Sequence, residues 1–197
     1  MMIEQLGAFF ASTAVVALAE IGDKTMLLAI VLAARLRAPW QIIAGIFVAT
    51  IANHALAALV GREVAGLLEA TWFRVAVALG FLAMAAWTLV PAKLDDDENT
   101  VRQRGGAFLT TLVSFFLVEM GDKTQVATIA LGAHYSSVAL VAAGTTLGMM
   151  LANVPAVFLG EALVKRVSLD KTRMAAAALF AVLGVWQLGE LLGRISS

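Results

Sequence analysis

Twice in this chain a glutamate is followed, three residues on, by aspartate, lysine and threonine: Glu20-Ile21-Gly22-Asp23-Lys24-Thr25 and Glu119-Met120-Gly121-Asp122-Lys123-Thr124. If the segments are helical, carboxylates at this spacing share one face, and their hard oxygens suit a divalent cation or a proton. Each hexad sits at the middle of an apolar segment of about 29 residues, 6–34 and 105–133, with flanks too short to span a bilayer alone. The hexads are therefore expected at the membrane midplane. An ionised side chain there costs about 2.5–3.5 kcal/mol on insertion scales, and function is the usual reason for keeping one. Glu20, Asp23, Glu119 and Asp122 are the candidate metal ligands. With Lys24 and Lys123 they carry a formal charge of −2, which one dication balances.

Several neighbours could support such a site. Gly22 and Gly121 permit an unwound backbone, whose carbonyls would add ligands. Thr25, Thr124, Gln125 and Thr128 offer neutral oxygens, with hydrogen bonding inside the helix as the plainer use. His54 and Asn153 are polar positions in otherwise apolar segments, either of which could face a cavity or simply pack by a hydrogen bond. Pro155 is placed to bend its helix. The plain alternative for the hexads is a pair of internal ion pairs, Asp23–Lys24 and Asp122–Lys123. An additional glutamate repeated three residues upstream in both copies argues against that. The methionines read as packing, and the run Asp95–Glu98 as a solvated loop.

The elements that must position these residues are themselves duplicated. At an offset of 99, Gly7-Ala8-Phe9 meets Gly106-Ala107-Phe108, Gly45 meets Gly144, Gly61 meets Gly160, Arg74 meets Arg173 and Trp87 meets Trp186. His54 meets Asn153 in the same register. Each half divides into three apolar segments: 6–34, 41–61 and 74–91, then 105–133, 138–161 and 173–192. A duplicated unit with an odd number of crossings inserts its second copy upside down. The expected fold is an all-α integral membrane protein of six transmembrane helices in two inverted three-helix repeats, the first helix of each long or broken at its acidic motif. One transmembrane domain, 1–197, then contains repeats 1–92 and 105–197 joined by a cytoplasmic linker, 93–104.

Composition agrees. The 197 residues are 61% hydrophobic and 14% charged with zero net charge, so nothing invites nucleic acid, while a lipid bilayer is implied. Cysteine is absent, which leaves oxygen or imidazole for any metal. Arg35, Arg37, Lys93, Arg102, Arg104, Lys165, Arg166, Lys171 and Arg173 fall on one expected side, against Arg62, Arg74 and Arg194 on the other. The richer side is expected to be cytoplasmic, with both termini outside. Trp40 and Trp72 read as interfacial anchors. Ala17-Leu18-Ala19 looks like a signal-peptidase site, but the segment before it carries Glu4 and no basic residue, so it is expected to be retained.

The paired motif Glu-x-Gly-Asp-(Lys/Arg)-(Thr/Ser) resembles that of the GDT-type cation antiporter family, which includes bacterial manganese exporters and Golgi calcium/manganese transporters. The resemblance covers the chain and is nearest to the bacterial branch. It implies export of Mn²⁺, or next Ca²⁺, from the cytoplasm in exchange for protons across a bacterial inner membrane, without a resident cofactor, and carries the cation site onto Glu20, Asp23, Glu119 and Asp122. Glutamine commonly follows each hexad in that family; Gln125 keeps it and Met26 does not, leaving the first half one oxygen poorer. Two rivals are an exporter of small organic ions or amino acids and an intramembrane acid/base enzyme. The second lacks any zincin pair, nucleophile elbow or phosphate loop. The sequence leaves a homo-oligomer open.

Overall fold

The computed structural model describes residues 2–66, 70–90, 105–160 and 168–195, which are all-helical. Neither hexad lies within a continuous helix. α1 (Met2–Glu20) stops at the first glutamate and α2 (Lys24–Leu36) starts after the first aspartate; α3 (Pro39–Val64) and α4 (Thr71–Thr88) complete the half. The second half repeats the pattern as α5 (Gly106–Glu119), α6 (Lys123–His134), α7 (Val138–Leu159) and α8 (Leu169–Ile195). Of the two backbones expected for the hexads, the broken one forms, because Gly22 and Gly121 take φ of 84° and 79°, a left-handed turn that costs glycine little.

The remaining boundaries have local causes. Arg37 closes α2 in the left-handed conformation with its N–H on the Ala33 carbonyl, and Pro39 opens α3 where a missing N–H costs nothing. The Ser137 hydroxyl accepts the Leu140 N–H at the start of α7. Four helices, α3, α4, α7 and residues 170–193 of α8, are long and apolar enough to cross a membrane, and two shorter apolar helices lie in α1 and α5. The linker 93–104, with its acidic run, and Lys165 and Arg166 lie outside the described residues.

The halves interlock. α1 and α2 both pack along α7 of the other half, and α5 and α6 both pack along α3. A Cβ on Gly144 would meet the Phe9 carbonyl and Ser12, and one on Gly148 the Thr13 carbonyl and the Ala17 nitrogen, so α1 and α7 run in the same direction at backbone contact. Gly45 meets Phe108 and Thr111, while Gly61 meets Ile129 and Ala133, so α3 runs with α5 and then α6. α3 and α7 run oppositely: Trp40 at the start of α3 meets Phe158 at the end of α7, ring centroids 5.5 Å apart. α4 and α8 pair through Gly184 against Leu82 and through Phe81 stacked on Phe180. That pair is unequally seated, sharing a core with Val15, Ala19, Ala127 and Leu131 of α1 and α6. The second core joins α2, α3, α5 and α7 without it. Side chains such as Leu56, Leu79, Val182 and Trp186 point outward, an exterior suited to lipid rather than water.

Candidate cation site

The acidic side chains of both helix breaks lie together in the interior, while Met120 and Gly121 of the second turn are exposed. Each break is a short turn in which the aspartate N–H returns to the glutamate carbonyl: Asp23 to Glu20 at 2.9 Å, and Asp122 to Glu119 at 3.1 Å. Asp23 and Asp122 stand at the N-caps of α2 and α6 in extended backbone, yet neither side chain caps its helix. Their carboxylates are thereby free to face across the halves. The C-terminal carbonyl ends of α1 and α5, which favour positive charge, and the N-terminal ends of α2 and α6, which favour negative charge, meet at these breaks.

Glu20, Asp23 and Asp122, all buried, each bring a carboxylate oxygen within 4.8 Å of the other two. Glu119 is just as buried but turns elsewhere: its Oε1 lies 2.7 Å from His54 Nε2 and its Oε2 3.5 Å from the Thr50 hydroxyl. The imidazole is close enough for an ion pair, though the ring is not aligned for a linear hydrogen bond. Glu20 receives the Thr25 hydroxyl on Oε2, and Asp122 that of Thr124 at 3.4 Å. Thr128 follows the plainer use, donating to the Thr124 carbonyl at 2.7 Å. Gln125 spends its side-chain oxygen on the Gly121 N–H at 2.7 Å, bracing the second break; Met26 is buried among apolar side chains.

The lysines do not pair within their own hexads. Lys123 Nζ lies 2.8 Å from Asp23 Oδ1, and Lys24 Nζ 3.7 Å from Asp122 Oδ1, so each crosses to the other half. Asn153, aligned with His54, has no hydrogen bond to a carboxylate among the described residues; its amide nitrogen gives to the Met149 carbonyl and sulfur. His134, one residue beyond the expected apolar segment 105–133, closes α6. Thr50 and Asn53 were not legible as site neighbours. Asn53 Nδ2 donates to the Phe116 carbonyl at 3.1 Å and so holds α3 to α5 beside Glu119. Their signal was polarity on the same stretch of α3 as His54, a weak one.

Three acidic side chains gathered from two copies of one motif, inside an apolar helical protein, form a group that could hold a metal ion. The profile of the family described as divalent cation/proton antiporter GDT1 matches residues 8–96 and again 107–194. The chain belongs to that antiporter family. It is thus a multi-pass membrane transporter, not an enzyme. It is 47% identical over 175 residues, 88% of this chain and 86% of the relative, to a Vibrio cholerae protein named "Putative manganese exporter". A GDT1-like protein of Synechocystis is 28% identical over 200 residues, 91% of this antiporter and 96% of the relative. GDT1-like protein 5 of Arabidopsis thaliana is 28% identical over 221 residues, 93% and 96% of the two chains. No solved structure matches.

Proposed function

We propose that this antiporter exports Mn²⁺ from the cytoplasm in exchange for protons, Ca²⁺ being the alternative cargo, and that the acids of the two hexads, Glu20, Asp23, Glu119 and Asp122, are the residues that exchange them. The observation that carries this reading is the convergence of Glu20, Asp23 and Asp122 from opposite halves. Manganese is favoured by the name of the Vibrio cholerae relative, while the all-oxygen donor set suits Mn²⁺ and Ca²⁺ alike. Metal and proton compete for the same carboxylates, which is the simplest coupling between opposite fluxes. Lys24 and Lys123 balance charge when the cation is away. Thr25, Thr124 and Gln125 shape the two breaks. His54 and Thr50 hold Glu119 at the border.

The proposed architecture is six crossings in two inverted repeats, 1–92 and 105–197, with α1–α2 and α5–α6 each serving as one broken crossing. Supporting inversion, α1–α2 runs with α7, α5–α6 runs with α3, and α3 and α7 are opposed. The linker 93–104 is placed in the cytoplasm and the termini outside the inner membrane, following the excess of basic residues on the linker side. The site draws on a single chain, so a homo-oligomer is not needed to build it.

The test is metal-driven proton movement in proteoliposomes, comparing Mn²⁺, Ca²⁺ and Mg²⁺ for the natural protein, Glu20→Gln and Glu119→Gln. Mn²⁺ is expected to drive protons the opposite way, and each substitution to abolish it. Proton movement that survives both substitutions would remove the shared site.

A further inference from the structure

The two glutamates meet different neighbours although their helices pack in the same register. In one pairing, Gly45 of α3 lies against Phe108 and Thr111 of α5, and Thr50 and His54 further along α3 reach Glu119. In the other, Gly144 of α7 lies against Phe9 and Ser12 of α1, and Gly148 against Thr13 and Ala17. The Gly144 contact is the Gly45 contact shifted by the repeat. Carried one turn further by the offset of 99, the positions of Thr50 and His54 beside Glu119 correspond to Met149 and Asn153 on the side of Glu20.

Asn153 is fully buried and its amide orientation is defined by its partners. The NH₂ group gives to the Met149 carbonyl at 3.0 Å and to the sulfur at 2.9 Å, acceptors that the amide oxygen could not serve. Oδ1 is thereby turned the other way, and it meets no hydrogen-bond donor among the described residues. Neither does Glu20 Oε1, nor Asp23 Oδ2 in the acidic group. While the carboxylates are ionised these buried acceptors cannot satisfy one another, and leaving them unpaired is costly. A cation among them satisfies all three.

We propose that Asn153 Oδ1 is a direct ligand of the transported dication beside Glu20, Asp23 and Asp122, Met149 fixing the amide that presents it. The pocket is then lopsided: the position that gives Glu119 an imidazole gives the cation a neutral oxygen. This rests on the cation-site reading above, and the experiment separates the two.

Mn²⁺ alone is titrated into the purified full-length protein, free Mn²⁺ being read by its electron paramagnetic resonance, with thermal unfolding as the check on folding. Asn153→Leu is expected to weaken binding by about tenfold or more. Asn153→Asp, which keeps the oxygen and adds charge but loses the donor to Met149, is expected to bind Mn²⁺ at least as tightly as the natural protein and to release it more slowly in transport. Glu20→Gln serves as the reference for the site itself. If Glu20→Gln loses Mn²⁺ while folded Asn153→Leu stays within about twofold, or if folded Asn153→Asp weakens as Leu does, Asn153 is a packing residue and the proposal fails with the site intact. If the natural protein binds no Mn²⁺, both fall.

Discussion

Lys123 and Lys24 are equivalent in sequence and unequal in place. Lys123 has a side chain only 8% exposed and lies 2.8 Å from Asp23, whereas Lys24 is 26% exposed and 3.7 Å from Asp122. Removing one partner of a buried pair leaves the other charge uncompensated, a loss of about 3–5 kcal/mol, while a wetter and longer pair contributes about 1 kcal/mol or less. Lys123→Met is therefore expected to lower thermal stability in detergent well below that of Lys24→Met. Saturating Mn²⁺ should narrow the gap, because a bound dication supplies Asp23 with the charge the lysine gave. A gap indifferent to Mn²⁺ would mean that Asp23 does not see the metal. The crossing of these pairs was beyond the reach of the sequence. Spacing along the chain shows which residues share a segment, and Asp23–Lys24 are neighbours there; only packing of one half on the other decides which lysine each aspartate meets.

The helix breaks are where sequence and structure meet most directly. The apolar segments, their boundaries near 34 and 133, and the polar centre of each were legible because hydropathy and glycine placement are local properties. The register of α1 on α7 was not, since it depends on which glycines reach backbone contact. At Gly121 a side chain would find no atom within 4 Å, so the obstacle to substitution is the φ of 79°. Gly121→Ala is expected to cost about 1–2 kcal/mol through conformation alone. Gln125→Met should cost less, about 1 kcal/mol or below, since it removes one exposed hydrogen bond to Gly121 and copies the Met26 that the first break already tolerates. Unfolding of the two variants in detergent, followed by circular dichroism, orders them. A larger loss for Gln125→Met would show that the brace, not the glycine turn, holds the break.

At the scale of the molecule, the halves exchange their broken helices, α1–α2 lying on α7 and α5–α6 on α3. Each half alone would expose the glycine faces that its partner's backbone now covers. A chain divided within 93–104 is expected to yield Mn²⁺-driven proton movement when both pieces are produced together, and neither folded protein nor activity when either is produced alone. A folded, isolated half would contradict the interlock. The repeat itself was plain from the offset of 99, but the unequal seating of α4 and α8 on α1 and α6 was not, because matching sequences carry no record of which of two matching surfaces is occupied. The inequality of His54 and Asn153 has a consequence for descent. Two identical half-length polypeptides assembling upside down would have to place the same residue beside both glutamates. Fusion into one gene lifts that obligation, so one copy can carry an imidazole where the other carries an amide, and a division of labour closed to a symmetric pair is open to selection.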